Sequence, residues 1–442
     1  MTTRFFPIWP IVWACLTSML LTAHFLRAGE WPWILLAVLF PALILLGRAW
    51  AWLIVAAFFL LASLEWLQTA WHIFLARQFF QQTLIGIMGA LAGIVLLTLI
   101  SAGLAGRQGY TLASRAGSGQ AVIAPVIVFS LVFALLTLIR WQVTDPPMLL
   151  FDRLLPGAGW LEIFGLSLYG AIVVEKMQDP KTAQAMRLRI WTLFSLVFFG
   201  QLALGLTVSP VFLMSGELHI PVPAMILAGP VYRGEGLFMP ILFLATVVLV
   251  GPAWCSHLCY FGAWDNVAAR NVRRPRSLRQ WAEPIRLTLL LAIIGVALLL
   301  RALGVAPLLA GLIGLGFGLA GVAVMLLISR RKGIMAHCTA YCPIGLLAVL
   351  LGRLNPLRIK INPDCTQCLA CTRVCRYDAL NPQDIQKQRA GYTCTLCGDC
   401  IAACHKSSLQ YRCFNLPAPA ARTLFLVLIV TLHAVFMGVA RI

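Results

Sequence analysis

Long apolar stretches alternate with short polar connections along most of the chain. A transmembrane helix needs about 20 consecutive, mainly apolar residues, and windows of about that length predict eleven such helices here. The second is interrupted by Pro41 and is separated from the third only by Arg48. The predicted spans are 5–26, 31–47, 49–65, 84–105, 121–140, 158–175, 190–212, 237–254, 284–302, 305–329 and 422–440. The pattern predicts an all-α polytopic membrane protein.

One segment departs from this pattern. From Arg353 to about Arg422 the apolar runs stop, and Cys, Asp, Asn, Gln and Arg appear. A domain of about 60 to 70 residues buries little apolar surface, and domains of this size often rely on a metal or another cross-link. We expect a small α+β domain here, held between membrane helices, whose cysteines supply that cross-link.

Composition and charge support the membrane assignment. The chain is 61% hydrophobic and 11% charged, with mean hydropathy +0.89, which excludes a soluble globule. The net charge of +19 comes from basic residues spread among the spans, so we interpret them as topology signals and lipid-headgroup contacts, without a nucleic-acid partner. With the N-terminus inside, most of them face the cytoplasm of a bacterial inner membrane, as does the polar segment. The basic run 270–279 is interpreted as a lipid anchor, with docking of an acidic partner as the alternative.

Eight of the fourteen cysteines form two copies of C-x2-C-x2-C-x3-C. In two-cluster ferredoxins, three cysteines of such a motif bind one cluster and the fourth binds the other, so we predict two [4Fe-4S] clusters. Two zinc sites explain these cysteines less well, because zinc knuckles need only paired C-x2-C motifs. Disulfides also explain them less well, because the segment is expected to face a reducing cytosol. Arg376 and His405 stand where a proline commonly follows the fourth cysteine. The first ferredoxin set is Cys365, Cys368, Cys371 and Cys404, and the second ferredoxin set is Cys394, Cys397, Cys400 and Cys375.

Two further pairs share the spacing C-x3-C-x2-G, and each follows a span that runs from outside to inside. Thiolates one helical turn apart project from one face, so two such pairs supply four soft ligands for a third iron–sulfur cluster. Pairs that are structural, or redox-active without metal, are the alternative. A [4Fe-4S] cluster is favoured over [2Fe-2S], although four thiolates suit both. This membrane-border set is Cys255, Cys259, Cys338 and Cys342.

These motifs together resemble a known group of proteins. Paired C-x3-C motifs on membrane spans, the second followed by Pro343, and then a two-cluster ferredoxin segment are similar to the membrane iron–sulfur proteins of the NapH-type quinol dehydrogenase component and the NosR-type regulator of nitrous oxide reduction. The resemblance covers about 158–412. It implies electron transfer between the quinone pool and redox partner proteins in a complex. Tyr260 replaces the proline expected after the first motif, and no flavin-binding domain precedes the membrane part, so flavin is not expected.

The predicted organisation therefore has four parts. Residues 1–157 are membrane helices of unassigned role, 158–352 form a membrane core with the C-x3-C motifs, 353–421 form the ferredoxin-like domain, and 422–442 form a last transmembrane helix. We expect a membrane electron-transfer subunit, the quinol dehydrogenase-like component of an oxidoreductase complex, with a quinone as a further ligand. A metallocofactor assembly or metal-reducing factor and a redox-sensing membrane regulator are the alternatives. No acid–base constellation indicates other catalysis.

A few single residues bear on cofactors. His257 and His337 flank the C-x3-C cysteines, where they would bond cluster sulfur, transfer a proton or make a plain local contact. His24 and His72 are not matched in predicted depth, so haem is not expected. Cys15 is interpreted as a small core residue.

The charge bias generates a topology prediction. A reporter that is active only outside the membrane should be active when fused after Gly234 and silent when fused after Ser277 or Pro382, because basic loops stay in the cytoplasm. Reporter activity in membrane fractions measures this. Activity at Pro382 would invert the predicted orientation.

Overall fold

The computed structural model describes residues 8–80, 83, 85–115, 119–213 and 220–439. This part of the chain is mainly helical, with one two-stranded antiparallel sheet. The helices are α1 (Ile8–Ala28), α2 (Trp31–Ala42), α3 (Ala49–Phe79), α4 (Ile85–Arg115), α5 (Gly119–Gln142), α6 (Leu150–Leu154), α7 (Gly159–Gln178), α8 (Pro180–Thr207), α9 (Met225–Arg233), α10 (Phe238–Val250), α11 (Trp254–His257), α12 (Tyr260–Ala269), α13 (Arg279–Ala302), α14 (Pro307–Val324), α15 (Arg330–Lys332), α16 (Pro343–Leu351), α17 (Ala370–Val374), α18 (Pro382–Gln386), α19 (Asp399–Ala402) and α20 (Ala418–Val439). The strands are β1 (Arg358–Ile361) and β2 (Leu409–Arg412). Short 3-10 or π turns lie at Leu43–Leu46, Pro210–Phe212, Gly251–Ala253, Met325–Ser329 and His337–Tyr341.

Nine helical segments in the described ranges are long and apolar enough to cross a membrane. Each overlaps one of the eleven predicted spans, so the chain is a polytopic membrane protein. The segments are Ile8–Ala28, Ala49–Phe79, Ile85–Arg115, Ala121–Gln142, Pro180–Thr207, Phe238–His257, Arg279–Ala302, Pro307–Lys332 and Ala418–Val439.

The two remaining predicted spans differ from these nine. The stretch 31–47 forms a helix of 12 residues followed by a 3-10 turn, which is too short for a span. Helix α7 has 20 residues, but every 18-residue window in it contains Glu162, Glu175 and Lys176. If neither 31–47 nor α7 crosses the membrane, the predicted orientation of every span after α7 is unchanged, because each missing crossing reverses the chain direction once and the two reversals cancel.

The chain divides into two compact units, 1–142 with 151–171, and 143–150 with 172–442. In the first, α3 packs along α4, and Arg140 pairs with Asp152 at 2.6 Å between Nε and Oδ2. Its one cysteine, Cys15, is exposed on α1. The expectation that Cys15 is a core residue is therefore wrong: it lies on the exposed face of α1, where a small apolar side chain suits lipid as well as a core.

The second unit contains an internal duplication. In each half a long helix (α8 or α13) precedes a span (α10 or α14) that leads into a C-x3-C motif. A short helix follows the motif and packs back on the long one: α12 on α8, and α16 on α13. The repeat of the C-x3-C-x2-G motif thus extends to the packing of the surrounding helices.

The ferredoxin-like segment is duplicated as well. Its two cysteine motifs lie 29 residues apart, and at that same offset the backbone repeats left-handed conformations and the short helices α17 and α19. Left-handed residues next to right-handed ones aim successive N–H groups into one concave surface, which iron–sulfur sites use. The matched residues with positive φ are Gln367 with Leu396, Leu369 with Gly398, and Asp378 with Ser407.

Two arginines dock this segment on the loops of the membrane core. Arg279 Nη1 donates to both carboxylate oxygens of Asp384 at 2.8 Å. Arg376 Nη1 donates to the carbonyl oxygens of Val272 and Gly333, also at 2.8 Å. Part of the basic run 270–279 therefore binds this chain's own polar segment, and Arg376 in place of proline serves the same docking.

Candidate iron–sulfur centres

The membrane-border set converges from the two halves of the duplication. Cys255 lies in α11, at the end of the apolar segment Phe238–His257, and Cys338 lies in the π turn His337–Tyr341. Burial, Asp265 and the three other thiols of the set hold the pKa of Cys338 well above its usual value. The four thiols are thus close enough to repel one another as thiolates.

The second cysteine of each motif begins a helix. Cys259 is the N-cap residue of α12, and Cys342 is the N-cap residue of α16. Backbone N–H groups two and three residues further on favour the thiolate of each cysteine. A helix N-terminus stabilises a thiolate through these donors and the helix dipole, so both positions favour the metal-binding form of cysteine.

The same steric crowding explains why both C-x3-C-x2-G motifs end in glycine. A Cβ atom on Gly262 would lie 3.0 Å from the carbonyl oxygen of Cys255, and one on Gly345 would lie 3.0 Å from that of Cys338. Neither oxygen can withdraw easily, because it belongs to the backbone that positions the first cysteine. The glycine therefore allows both cysteines of a motif to turn toward one point.

The donor set fits an iron–sulfur cluster chemically. Thiolates are the ligands of such clusters, but burial raises the pKa of Cys259 to about 12 in spite of its N–H donors. Four thiols with raised pKa values need a cation to lose their protons, so binding the iron core would release protons. In the described part of the chain, no three His, Cys, Asp or Glu side chains are close enough to hold one metal ion. A cubane binds one thiolate per iron, so its ligands stand farther apart.

The second ferredoxin set lines a single cavity. Cys375, which comes from the first motif, borders this cavity together with the first three cysteines of the second motif. Burial and the thiols of Cys397, Cys394 and Cys375 hold the pKa of Cys400 well above its usual value. The structure therefore brings together the four residues that the crossed ferredoxin arrangement requires.

The first ferredoxin set is nearer the surface. Cys371 is buried with the thiols of Cys365 and Cys368 near it, while Cys368 itself is exposed. Cys404 follows α19, which packs on the helix containing Cys371. Cys413 is buried and belongs to none of the three sets. This exposure distinguishes the first ferredoxin set from the second.

A buried ion pair that the sequence analysis missed links two of the sets. Arg187 Nη2 donates to Asp399 at 2.8 Å, and its Nη1 donates to the carbonyl oxygen of Ser256 at 3.2 Å. Asp399 lies between Cys397 and Cys400. Arg187 precedes the predicted span 190–212 by three residues, whereas the helix begins at Pro180 and includes it. A charge within one turn of the start of a predicted span is the signal that points to such residues.

Two neutral contacts complete the link. Tyr377 donates its phenol proton to the carbonyl oxygen of Cys255 at 3.4 Å. The hydroxyl of Ser256 donates to the carbonyl oxygen of Thr395, next to Cys394, at 2.8 Å. Single side chains therefore connect the membrane-border set to the second ferredoxin set.

The histidines near the motifs are enclosed. His257 Nδ1 lies 2.9 Å from the hydroxyl of Ser256, and its buried Nε2 has no hydrogen-bond partner in the described structure. Burial lowers the pKa of His337 to about 3, so its imidazole is neutral, and it packs against Phe261. This favours a packing role for His337 over proton transfer. In the first unit, His24 Nε2 lies 3.3 Å from Glu65 Oε1.

Part of the chain matches a known protein family. The sequence profile of a family described as a 4Fe-4S binding domain matches residues 232–279 and 310–362. These two stretches contain the two C-x3-C-x2-G motifs and end before the ferredoxin motifs begin. No curated protein and no solved structure matches the chain. The chain is an iron–sulfur protein.

The close approach of the glycines predicts a specific defect. Gly262→Ala and Gly345→Ala should each lower iron content by about four atoms per chain, the content of one [4Fe-4S] cluster, because the new Cβ displaces the first cysteine. Iron analysis and electron paramagnetic resonance of anaerobically purified protein measure this. The control is Gly316→Ala on α14, where a Cβ meets nothing within 4 Å. Full iron content in both motif variants would contradict this steric role.

A cluster shared by the four cysteines of the membrane-border set would make cysteine variants non-additive. From about twelve iron atoms in the unchanged protein, Cys255→Ser and Cys338→Ser should each remove about four, and the double variant no more. Replacing Cys365 and Cys394 together should remove about eight. If the two single variants abolish two different spectroscopic signals, the membrane-border cysteines do not share one cluster. Stoichiometric zinc with negligible iron in the unchanged protein would refute all three iron–sulfur clusters.

Proposed function

We propose that this chain is a membrane electron-transfer subunit that passes electrons between the quinone pool and a redox partner protein, as a NapH-type or NosR-type protein would. Three [4Fe-4S] clusters, held by the membrane-border set and the two ferredoxin sets, supply one-electron carriers when bound. The observation that supports this most directly is the series of contacts between the membrane-border set and the second ferredoxin set.

These contacts give the three sets an order. Tyr377 follows Cys375 of the second ferredoxin set by two residues and bonds the backbone of Cys255. Arg187 adds a second connection, from Ser256 to Asp399. The first ferredoxin set shares the fold of the second through the packing of α17 on α19. The order is therefore membrane-border set, second ferredoxin set, first ferredoxin set.

The two ends of this series face different surroundings. Cys255 belongs to a segment apolar enough to cross a membrane, so the membrane-border set lies where a lipid-dissolved carrier such as a quinone arrives. Cys368 of the first ferredoxin set is exposed, which suits exchange with a soluble or peripheral protein. In the orientation that the basic loops predict, the first ferredoxin set faces the cytoplasm, and the membrane is a bacterial inner membrane.

The test is anaerobic electron exchange in proteoliposomes. A water-soluble menaquinol analogue should reduce the ferredoxin clusters, or its quinone should reoxidise clusters that dithionite has reduced, as followed by electron paramagnetic resonance. Cys255→Ser should keep about eight iron atoms and remain reducible by dithionite, yet lose exchange with the quinone couple. Its ferredoxin clusters would then lack their connection to the membrane.

Cys15→Ser is the matched control, because this cysteine is exposed on α1 and lies in the other compact unit. It should retain both iron and exchange. Exchange at the unchanged rate in Cys255→Ser would contradict the proposed order. An unchanged protein that exchanges electrons with neither the quinol nor the quinone would contradict the quinone pool as its partner.

A further inference from the structure

The duplication places one buried arginine at the same position in each half. Arg187 is the eighth residue of α8 and Arg286 is the eighth residue of α13. Each is 1% exposed. Both helices are long and apolar enough to cross a membrane, and charged side chains in such helices are costly unless they have a partner or a function.

The two arginines differ in their partners. Arg187 is neutralised by the carboxylate of Asp399. Arg286 has no such partner: its Nε and Nη1 atoms are buried without any hydrogen bond in the part of the chain that the structure describes. The neighbouring phenol of Tyr392 is neutral, because burial raises its pKa. The positive charge of Arg286 therefore has no ion-pair partner among the described residues, and Glu283, one turn before it on α13, is exposed.

This charge lies beside the membrane-border set. A Cβ on Gly345 would lie 3.0 Å from Arg286 Nη2, so the guanidinium touches the turn that holds Cys342. Its positive charge favours the thiolate of Cys342. An isolated buried charge is strongly unfavourable, and an anion at the four thiols would supply what Arg286 lacks.

We propose that Arg286 is the charge-compensating residue of the membrane-border cluster and raises its reduction potential. Four thiolates bring more negative charge than the iron–sulfur core brings positive, and one-electron reduction adds another negative charge. A buried cation next to the set stabilises the reduced form more than the oxidised form. The inference rests on the proposed cluster, and it assigns a role to a residue outside every cysteine motif.

The experiment is a dithionite redox titration of the full chain, in which the spectroscopic signal lost in Cys255→Ser identifies the membrane-border cluster. Arg286→Gln should lower the midpoint potential of that signal by an amount equivalent to about tenfold in the reduction equilibrium, about 59 mV for one electron. The two ferredoxin signals should keep their potentials. Arg286→Lys keeps the charge and should retain most of the original potential.

Arg301→Gln is the matched control, since it removes the same charge from the exposed far end of the same helix. If Arg286→Gln cannot hold the cluster, it should lose about four iron atoms while Arg286→Lys keeps them, which also supports the proposal. An unchanged potential in Arg286→Gln would overturn it, as would equal loss of iron in both Arg286 variants. Absence of a shared cluster in the unchanged protein would instead overturn the proposed function.

Discussion

The candidate membrane-border site depends on a close backbone approach within each C-x3-C-x2-G turn. The carbonyl oxygen of the first cysteine comes so near the α-carbon of the glycine that a side chain there would meet it at 3.0 Å. This approach lets the second cysteine begin a helix, whose first N–H groups favour its thiolate. Helices α12 and α16 then pack back on α8 and α13, which brings the two turns together.

Charge balance is the second constraint on this unit. A buried charge needs an opposite charge close by. The two halves of the duplication meet this need in different ways. Arg187 is paired with Asp399, which ties a membrane helix to the second ferredoxin motif. Arg286 is turned toward the cysteines instead. Arg279 from the membrane core and Arg376 from the polar segment add further contacts between these two parts, so several basic residues have their partners within the chain.

The ferredoxin-like segment shows how a short sequence repeat produces a small domain. Its two cysteine motifs have the same spacing, and residues with left-handed backbone conformation and short helices recur at matching positions in both. One two-stranded sheet gives it little core of its own, and a domain of this kind depends on bound metal and on its neighbours. Its docking on the membrane core therefore stabilises the fold and sets which ferredoxin motif lies next to the membrane.

The sequence by itself determined what depends on local spacing: the apolar segments, the polar insertion and the cysteine motifs, because periodicity and ligand spacing are read along a short stretch of chain. It did not determine that residues 31–47 form a shortened helix, or that α8 begins at Pro180. Nor did it indicate Arg187 or Arg286. Arg187 meets Asp399 across 212 residues, and such a pair exists only after the helices have packed. Tertiary structure alone decided which set neighbours which, since that order follows from contacts between segments distant in sequence.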